Sequence, residues 1–428
     1  MNVLDGERMS GQLESRGFAR ADHACLADVI ILNTCHIRAK ADHKIYSELG
    51  ALGEARRARP DLVIGVAGCM AQAEGEAIFE RAPWVDFVLG PGEVEKAGET
   101  VERVRAERRR IAALDLPEDS PAYQFRQISR ASSFQAYVTA IEGCDQYCTF
   151  CVVPFTRGRE RSRRSSEILA ELSHLAEAGY TEVTLLGQTV NAYRDPEEGS
   201  GLGRLLTRAA EDVPGIRRLR FVTSHPRFLD EELLTALAAG GPIAPSIHMP
   251  AQSGSDRILG RMKRRYDVRG YLDTVDRLRA AVPGIAVSSD FIVGFPGETE
   301  EDFEATLDLV RQVGFASLFG FTYSPRPGTA AARWAGASVV PEEVAAARLQ
   351  RLLSLQASLQ LAAHTRLVGR TDEVLVEELG ADGQARGRTL CNRIVHFPAG
   401  ENGPLPGSYV RVRITRGLPN SLRAERAA

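Results

Sequence analysis

The sequence has 428 residues, of which 44% are hydrophobic and 25% charged, and no apolar run is long enough to span a bilayer. This composition excludes fibrous, disordered and membrane-spanning proteins and predicts two or three soluble domains. Lysine and arginine number 53 against 56 aspartates and glutamates, so the formal net charge of −3 predicts no global attraction to nucleic acid. Any such binding must come from local patches of charge.

The chain starts with MNVLDGERMSG, which has no charged leader followed by an apolar segment, and this favours the cytoplasm over secretion. An amphipathic helical pattern begins at once, at Leu4, Met9 and Leu13, with no strand before it. Disulfides are rare in a reducing compartment, so the cysteines are expected to be structural thiols, catalytic thiols or metal ligands. The seven are Cys25, Cys35, Cys69, Cys144, Cys148, Cys151 and Cys391.

Residues 1–105 have the pattern of a small α/β domain. Short β-branched runs at 29–34, 63–69 and 86–90 are each followed by a stretch compatible with a helix. Cys35 and Cys69 come directly at the ends of the first two runs. Residues 106–134 are a charge run followed by polar sequence with proline and serine, which indicates a linker.

Residues 135–365 alternate strand and helix six times before a long helix at 342–363. This alternation predicts a parallel sheet, open or closed into a barrel, with function at the carboxyl ends of the strands. Polar, glycine and proline residues follow the strands, as that arrangement requires. We predict the strands near 136–141, 182–187, 217–222, 244–249, 286–293 and 317–323.

Residues 366–428 change to short strands with glycines, which predicts a small all-β barrel. This segment holds ten arginines against seven aspartates and glutamates, so it is the basic part of an acidic chain. The predicted fold class is therefore α/β, with an N-terminal α/β domain, a partial six-fold βα barrel and a C-terminal β-barrel.

The strongest chemical pattern is Cys144-x-x-x-Cys148-x-x-Cys151, on the loop after the first predicted barrel strand. Three thiolates within eight residues can hold a 4Fe–4S cluster that keeps one iron open for a cofactor or substrate. Zinc on Cys148 and Cys151 is the alternative, but structural zinc takes four ligands. No other cysteine or histidine occurs within the twenty residues after Cys151, which favours the open cluster.

Other catalytic classes have no support in the sequence. The eight histidines form no HxxH or HExxH spacing, and no P-loop, GxGxxG or Ser/His/Asp order is present. His225 and His248 follow predicted strands and are candidates to line the pocket. Hydrolase and nucleotide-switch functions therefore have no support in the sequence.

The cysteine motif on a six-fold βα repeat resembles the radical S-adenosylmethionine (radical SAM) superfamily. The surrounding sequence motifs resemble those of its methylthiotransferases. They are most similar to the tRNA branch, which converts N6-isopentenyladenosine to its 2-methylthio derivative beside the anticodon. The tail resembles the TRAM domain, a tRNA-binding β-barrel. The phrases are NTCHIR (33–38), GCMAQ (68–72), EGCDQYCTFCVVPFTRGRERSR (142–163), LLGQTVNAY (185–193), TSHP (223–226), HMPAQSGSDRILGRMKRRY (248–266), DFIVGFPGETEEDF (290–303) and YSPRPGT (323–329).

This resemblance implies a SAM-cleaving 4Fe–4S cluster on Cys144, Cys148 and Cys151 and a second cluster that supplies sulfur. Polar residues that follow the strands are then expected to contact SAM, and arginines of the cluster loop and tail to contact tRNA. The expected SAM contacts are Gly187, Gln188, Ser224, Gln252, Ser253 and Asp290. The expected tRNA contacts are Arg157, Arg159, Arg386, Arg388, Arg411 and Arg413.

The second cluster takes three cysteines in that family, and Cys35 and Cys69 match two of them. The third belongs to a GCQMN-like phrase, of which Met1-Asn2 matches only the end. We therefore expect a strand and a cysteine encoded upstream of Met1, which a stop codon just before it would contradict. Without them we expect the second cluster to be labile or absent and methylthiolation to be weak. Cys25 precedes a strand and is expected to be a structural or incidental thiol.

The sequence leaves two alternative functions open. A methylthiotransferase could act instead on threonylcarbamoyl-adenosine in tRNA or on an aspartate of a ribosomal protein. A catalytically impaired tRNA-binding or zinc-scaffold protein is the alternative from another class, because one cysteine is missing. The expected partners are the tRNA anticodon stem-loop and an electron-donor protein, with no membrane, and the expected oligomeric state is a monomer.

Overall fold

The computed structural model describes residues 1–35, 39–119, 123–334, 338–400 and 403–427. They form two compact units. The first comprises Met1–Ser132, Ile141–Tyr147 and Cys151–Arg163, and the second comprises Ser133–Ala140, Cys148–Phe150 and Arg164–Ala428. No helix in the described ranges combines the length and the apolar composition that a bilayer crossing requires.

The strands and helices of the described residues follow each other in chain order. The strands are β1 (Val29–Thr34), β2 (Val63–Gly68), β3 (Phe87–Leu89), β4 (Ile111–Ala113), β5 (Gln135–Thr139), β6 (Ile141–Glu142), β7 (Arg161–Ser162), β8 (Glu182–Leu186), β9 (Arg218–Phe221), β10 (Ser246–His248), β11 (Ala286–Val293), β12 (Ser317–Thr322), β13 (Thr371–Leu379), β14 (Gln384–Thr389), β15 (Ile394–Pro398), β16 (Tyr409–Gly417) and β17 (Leu422–Arg426). The helices are α1 (Asn2–Glu14), α2 (Ala39–Ala58), α3 (Cys69–Glu74), α4 (Ala77–Arg81), α5 (Ala97–Glu107), α6 (Val153–Thr156), α7 (Ser165–Glu177), α8 (Leu202–Asp212), α9 (Glu231–Ala239), α10 (Asp256–Met262), α11 (Val268–Ala281), α12 (Glu300–Val313) and α13 (Glu342–Thr365).

A parallel four-stranded sheet in the order β1-β2-β3-β4 forms the centre of the first unit. Every residue of β2 is buried, because helices cover both faces of a parallel sheet. The chain opens with helix α1, as the amphipathic pattern predicts, and its Met9 packs into one apolar core together with Phe87 and Val101.

Strand β4 lies inside the predicted linker, 106–134. It pairs with β3 in parallel, from Phe87 opposite Ile111 to Leu89 opposite Ala113. The charge run that precedes it is the end of α5 and a turn, where Arg108 adopts a left-handed φ of 52° at the helix C-terminus. The sheet of the first unit therefore extends into the segment that the sequence pattern assigned to a connection.

Six strands of the second unit confirm the predicted βα repeat. They pair in parallel as β5-β8-β9 and β10-β11-β12, and an isolated parallel bridge joins Leu219 to Ile243 between the two sets. The helices between them are amphipathic. In α12 the predicted apolar stripe, Phe303, Leu307 and Val310, is buried, and a capping box of Thr299 and Asp302 fixes where the helix begins.

Strands β13 to β17 close into a barrel in the order β13-β14-β15-β17-β16. Its interior is apolar, with Val374, Val395, Phe397 and Leu422 fully buried. This confirms the predicted C-terminal β-barrel.

Two buried arginines of β9 bind the C-terminal barrel. Arg218 donates to the carbonyl oxygens of Arg388 at 2.8 Å and Glu373 at 3.0 Å. Arg220 donates to those of Leu390 at 2.8 Å and Thr389 at 3.0 Å. Glu182 accepts from Arg220 Nε at 3.0 Å, which leaves this buried guanidinium both paired and hydrogen-bonded.

Candidate active site

Strand ends of the second unit present buried polar atoms that no group in the described part of the chain satisfies. Ser224, three residues past β9, is 2% exposed, and its Oγ has no hydrogen-bond partner among the described residues. The same holds for Oε1 of Gln252, which follows β10. Thr223 and Gln252 also adopt left-handed φ values of 69° and 71°, a strained backbone that folds retain at functional sites. These orphaned atoms indicate a polar ligand at this edge.

Three other predicted SAM contacts also lie on loops that follow strands. Gly187 and Gln188 directly follow β8, as predicted. Ser253 is 1% exposed and accepts a hydrogen bond from the Ser255 backbone at 3.2 Å, so its hydroxyl helps to shape the loop.

Asp290 lies within β11 rather than at its end. Its carboxylate faces His248, whose Nε2 is 3.4 Å from Oδ2, and Nδ1 of that imidazole lies 3.0 Å from the Ser288 hydroxyl. The strand-end prediction for Asp290 is therefore wrong in position, although the side chain remains partly accessible.

His225 also follows β9 and is buried. Desolvation, with the nearby Arg264 cation as the next cause, lowers the pKa of this imidazole to about 2. Nδ1 accepts from the Arg227 backbone N–H at 3.3 Å, which leaves the proton of the neutral ring on Nε2. A neutral His225 can donate a hydrogen bond from Nε2 but carries no charge at physiological pH.

In the first unit, hydrogen bonds from the backbone N–H groups of the cluster loop hold the segment around Cys144. The Cys144 N–H donates to the Gly158 carbonyl at 3.2 Å, and the Asp145 N–H donates to Glu160 Oε1 at 3.1 Å. Gly143 has a φ of 78°, and a Cβ there would lie 1.9 Å from the Arg159 carbonyl oxygen. Only glycine fits this position, which lets the two sides of the loop approach each other.

In the second unit, Cys148 is buried, and its Sγ accepts from Nη1 of Arg264 at 3.4 Å. The next residue, Thr149, donates its backbone N–H to the Met262 carbonyl at 3.1 Å and its hydroxyl to the Arg261 carbonyl at 2.8 Å. The segment that ends α10 therefore holds Cys148 in place through both backbone and side chains.

The arginines that follow the cysteines have two different environments. Arg157 is 6% exposed and pairs with the buried carboxylate of Asp5, so a phosphate in solvent does not reach it. Arg161 is also buried, at 2.9 Å from Glu142. Arg159 is different, because its side chain is 81% exposed. Of the two arginines of this loop predicted to contact tRNA, the structure leaves only Arg159 accessible.

Cys35 and Cys69 follow neighbouring parallel strands at the same level. Thr34 and Gly68 are register partners at the ends of β1 and β2, so the two cysteines leave the sheet side by side. Gly68 has a φ of 95°, and a Cβ there would lie 2.3 Å from the Thr34 carbonyl oxygen. Cys25 is exposed and precedes β1, so it belongs to the other end of the strand, as expected.

The donor set fits an iron–sulfur cluster with SAM. All seven cysteines are described, and none forms a disulfide. Thiols are the ligands that such clusters take, and the orphaned atoms of Ser224 and Gln252 suit a polar cofactor at the strand ends. No group of three or more His, Cys, Asp or Glu residues within the described ranges is arranged around a single metal ion.

Family models match three segments of the chain. Residues 138–310 match the radical SAM superfamily, residues 1–90 match "Uncharacterized protein family UPF0004", and residues 365–426 match the TRAM domain. A tRNA-2-methylthio-N(6)-dimethylallyladenosine synthase of Cereibacter sphaeroides is 47% identical over 100% of this chain and 96% of its own length. A Mycobacterium bovis protein of the same name is 42% identical over 99% of this chain and 85% of its own.

The chain belongs to the tRNA-2-methylthio-N(6)-dimethylallyladenosine synthase family. This confirms the resemblance seen in the sequence motifs, including the radical SAM and TRAM assignments.

Solved structures agree on the fold. A radical SAM methyltransferase of Kitasatospora setae, TsrM, superposes with a TM-score of 0.58 at 19% identity, over 79% of this chain and 73% of that one. The radical SAM enzyme OxsB gives a TM-score of 0.52 at 15% identity, over 77% of this chain and 52% of that one. At these identities the likeness concerns architecture alone.

The predicted tail arginines of this family member lie on the TRAM barrel, and most of them are paired. Arg386 lies 3.0 Å from Glu378, Arg388 lies 3.0 Å from Glu377, and Arg413 pairs with Glu425. Arg411, on β16, is exposed and has no ion pair within the described residues. Of the four predicted tail arginines, it is therefore the one whose charge no described carboxylate neutralises.

Arg264 and Tyr266 are site residues that the sequence reasoning missed. The phrase GRMKRRY contains both, but nothing in its spacing distinguishes a buried arginine from the exposed Lys263 and Arg265 beside it. The available signal was the tyrosine two residues further on, which can cover a buried guanidinium.

Proposed function

We propose that this protein transfers a methylthio group to C2 of N6-isopentenyladenosine beside the anticodon of tRNA, by radical SAM chemistry. The observation that carries this proposal is the match, over the whole chain, to relatives that bear the name of that synthase. The three-thiol loop and the orphaned polar atoms of the strand ends agree with it.

In this proposal Cys144, Cys148 and Cys151 hold the 4Fe–4S cluster to which SAM binds. When bound, the cluster and SAM together supply a carbon radical able to remove hydrogen from an unreactive C–H bond. Ser224 and Gln252 orient SAM by hydrogen bonds from the strand ends.

We propose that Cys35 and Cys69 are two of the three ligands of a second cluster, which supplies the sulfur. Their positions after β1 and β2 support it, because neighbouring parallel strands bring both thiols to one edge of the sheet. We further propose a separate electron-donor protein, a monomeric enzyme and a cytoplasmic location.

If Ser224 binds SAM, its substitution should weaken SAM affinity without changing the stability of the protein. Because Ser224 Oγ has no protein partner, Ser224→Ala should leave the free energy of unfolding unchanged and weaken SAM binding roughly two- to tenfold, the worth of one hydrogen bond. Equilibrium dialysis with labelled SAM and urea titration measure the two effects.

Ser255→Ala is the matched control for this substitution. Ser255 caps α10, accepting from the Ile258 N–H at 3.3 Å, so its loss should cost about 1 kcal/mol of stability and leave SAM affinity unchanged. If Ser224→Ala behaves like Ser255→Ala in both measurements, Ser224 is a structural hydroxyl.

Contact with tRNA requires exposed cations. Of the predicted set, Arg159 is 81% exposed, although it lies 3.5 Å from Asp145, and Arg411 is exposed with no ion pair in the described residues. The target base must leave the stack of the anticodon loop, which costs little in a single-stranded loop. Arg411→Gln should weaken tRNA binding and reduce the slope of log affinity against log salt by about 1. Binding titrations across a salt series measure it.

Arg413→Gln tests a paired arginine two residues along the same strand. Glu425 already neutralises its charge, so we expect a smaller change in slope than for Arg411→Gln. Equal slopes for wild-type protein and Arg411→Gln would remove Arg411 from the tRNA interface.

Anaerobic reconstitution tests the proposed function itself. The protein, loaded with iron and sulfide and given a low-potential reductant, should cleave SAM to 5′-deoxyadenosine. Turnover should rise when an anticodon stem-loop RNA carrying N6-isopentenyladenosine is added. Stimulation only by RNA carrying threonylcarbamoyl-adenosine, or by a ribosomal protein, would assign another substrate. Zinc in place of iron would make the chain a scaffold.

A further inference from the structure

Arg264 is a buried cation whose hydrogen bonds converge on a cluster cysteine. It is 6% exposed, and its guanidinium makes three kinds of hydrogen bond. Nη1 donates to Cys148 Sγ at 3.4 Å, Nη2 donates to the Pro250 carbonyl at 2.9 Å, and Nε donates to the Tyr266 hydroxyl at 3.0 Å. The planar group is therefore fixed in one orientation, with one edge turned to the sulfur.

The surrounding structure holds that orientation. The Tyr266 hydroxyl donates a hydrogen bond to the Ala251 carbonyl at 2.8 Å, so its oxygen is oriented to accept from Arg264. Left-handed φ values at Lys263 and Arg265, 61° and 57°, turn the chain sharply on either side of Arg264. Such a backbone costs free energy at each residue, and the turn sets Arg264 against the cluster loop.

No carboxylate among the described residues balances the charge of Arg264. Within the described ranges its partners are a carbonyl, a phenol and a thiol, with no aspartate or glutamate in ion-pair distance. Burial raises the pKa of Tyr266, so the phenol stays neutral. A buried guanidinium without a counter-ion is costly, and the sulfur of Cys148 is the group that can carry the compensating negative charge.

We propose that Arg264 is a positioning residue that sets the reduction potential of the 4Fe–4S cluster by donating to the Cys148 sulfur. This inference rests on the proposed function, because it takes Cys148 to be a cluster ligand. A cation and an N–H···S hydrogen bond stabilise the more negative, one-electron-reduced cluster more than the oxidised one. Arg264 therefore raises the potential and makes the cluster easier to reduce.

The test is a redox titration of the reconstituted full-length protein, monitored by electron paramagnetic resonance. One electron from a low-potential dye takes the bound cluster from its 2+ to its 1+ level, with no bond broken. Arg264→Gln should disfavour reduction at least tenfold, a shift of about 59 mV to more negative potential for a one-electron couple. Arg264→Lys keeps the charge and should shift the potential less.

Arg265→Gln is the matched control, since it removes the same charge from an exposed neighbour and should leave the potential at the wild-type value. Tyr266→Phe removes the acceptor of Nε without changing charge, and should shift the potential in the same direction by a smaller amount. It serves as the deciding variant if Arg264→Gln does not retain iron.

The outcomes separate this inference from the proposed function. Wild-type potential in iron-loaded Arg264→Gln, or in Tyr266→Phe where Arg264→Gln loses iron, overturns the role of Arg264 and leaves the proposed function intact. A wild-type protein that binds iron but does not cleave SAM overturns the proposed function first.

Discussion

Replacing Cys148 with serine should abolish SAM cleavage and remove the iron of the SAM-binding cluster. Serine differs from cysteine by one atom, but its hydroxyl is neutral near pH 7 and is a hard ligand, whereas cluster iron takes thiolates. Cys148 is also the thiol that Arg264 contacts, so the substitution leaves a buried cation without its anionic partner. Iron and sulfide analysis and a 5′-deoxyadenosine assay measure the two losses.

Cys25→Ser provides the matched control for the cysteine series. Cys25 is exposed and precedes β1, away from the carboxyl ends of the first-unit strands, so its loss should change neither iron content nor SAM cleavage. Full iron content in Cys148→Ser, with SAM cleavage retained, would contradict the assignment of the cluster to this loop.

Replacing Arg220 with methionine should cost about 3–5 kcal/mol of stability, because it breaks a buried ion pair and leaves hydrogen-bond acceptors unpaired. The change removes the 3.0 Å partner of the buried Glu182 carboxylate, which keeps only Arg218 at 4.0 Å and the Gln135 amide at 2.8 Å. It also removes the hydrogen-bond donor of the Thr389 and Leu390 carbonyl oxygens, through which the C-terminal barrel is bound to β9. Urea denaturation followed by circular dichroism measures the loss.

Arg217→Gln is the comparison for Arg220→Met. Arg217 is half-exposed and pairs with the equally exposed Glu373 at 3.1 Å, so its loss should cost under about 1 kcal/mol. Equal urea midpoints for the two variants would show that the buried guanidinium of Arg220 contributes no more than a surface pair.

Elements with strong periodicity were predictable from the sequence. The β-branched run at 29–34 matches β1 residue for residue, and the predicted helix at 342–363 is α13 with two further residues. The cysteine spacing also predicts a cluster loop, because thiolate chemistry leaves few alternatives for three cysteines so close together.

The features that could not be predicted from the sequence are those that depend on tertiary contacts. Strand β4 has only three residues and becomes a strand because β3 offers an unpaired edge. Arg157 lies in a charge run of the kind that is usually solvated, yet Asp5, distant in sequence, buries it. Arg264 and Arg265 are identical in type and adjacent, and only the folded turn decides which one faces Cys148.

The most direct measurement is nucleoside mass spectrometry of tRNA from a strain in which the gene is deleted or codon 148 is changed to serine. The proposed function predicts that 2-methylthio-N6-isopentenyladenosine disappears from both strains and that N6-isopentenyladenosine accumulates in its place. The wild-type gene should restore the modification. Retention of the 2-methylthio nucleoside in the deletion strain would contradict the proposed function.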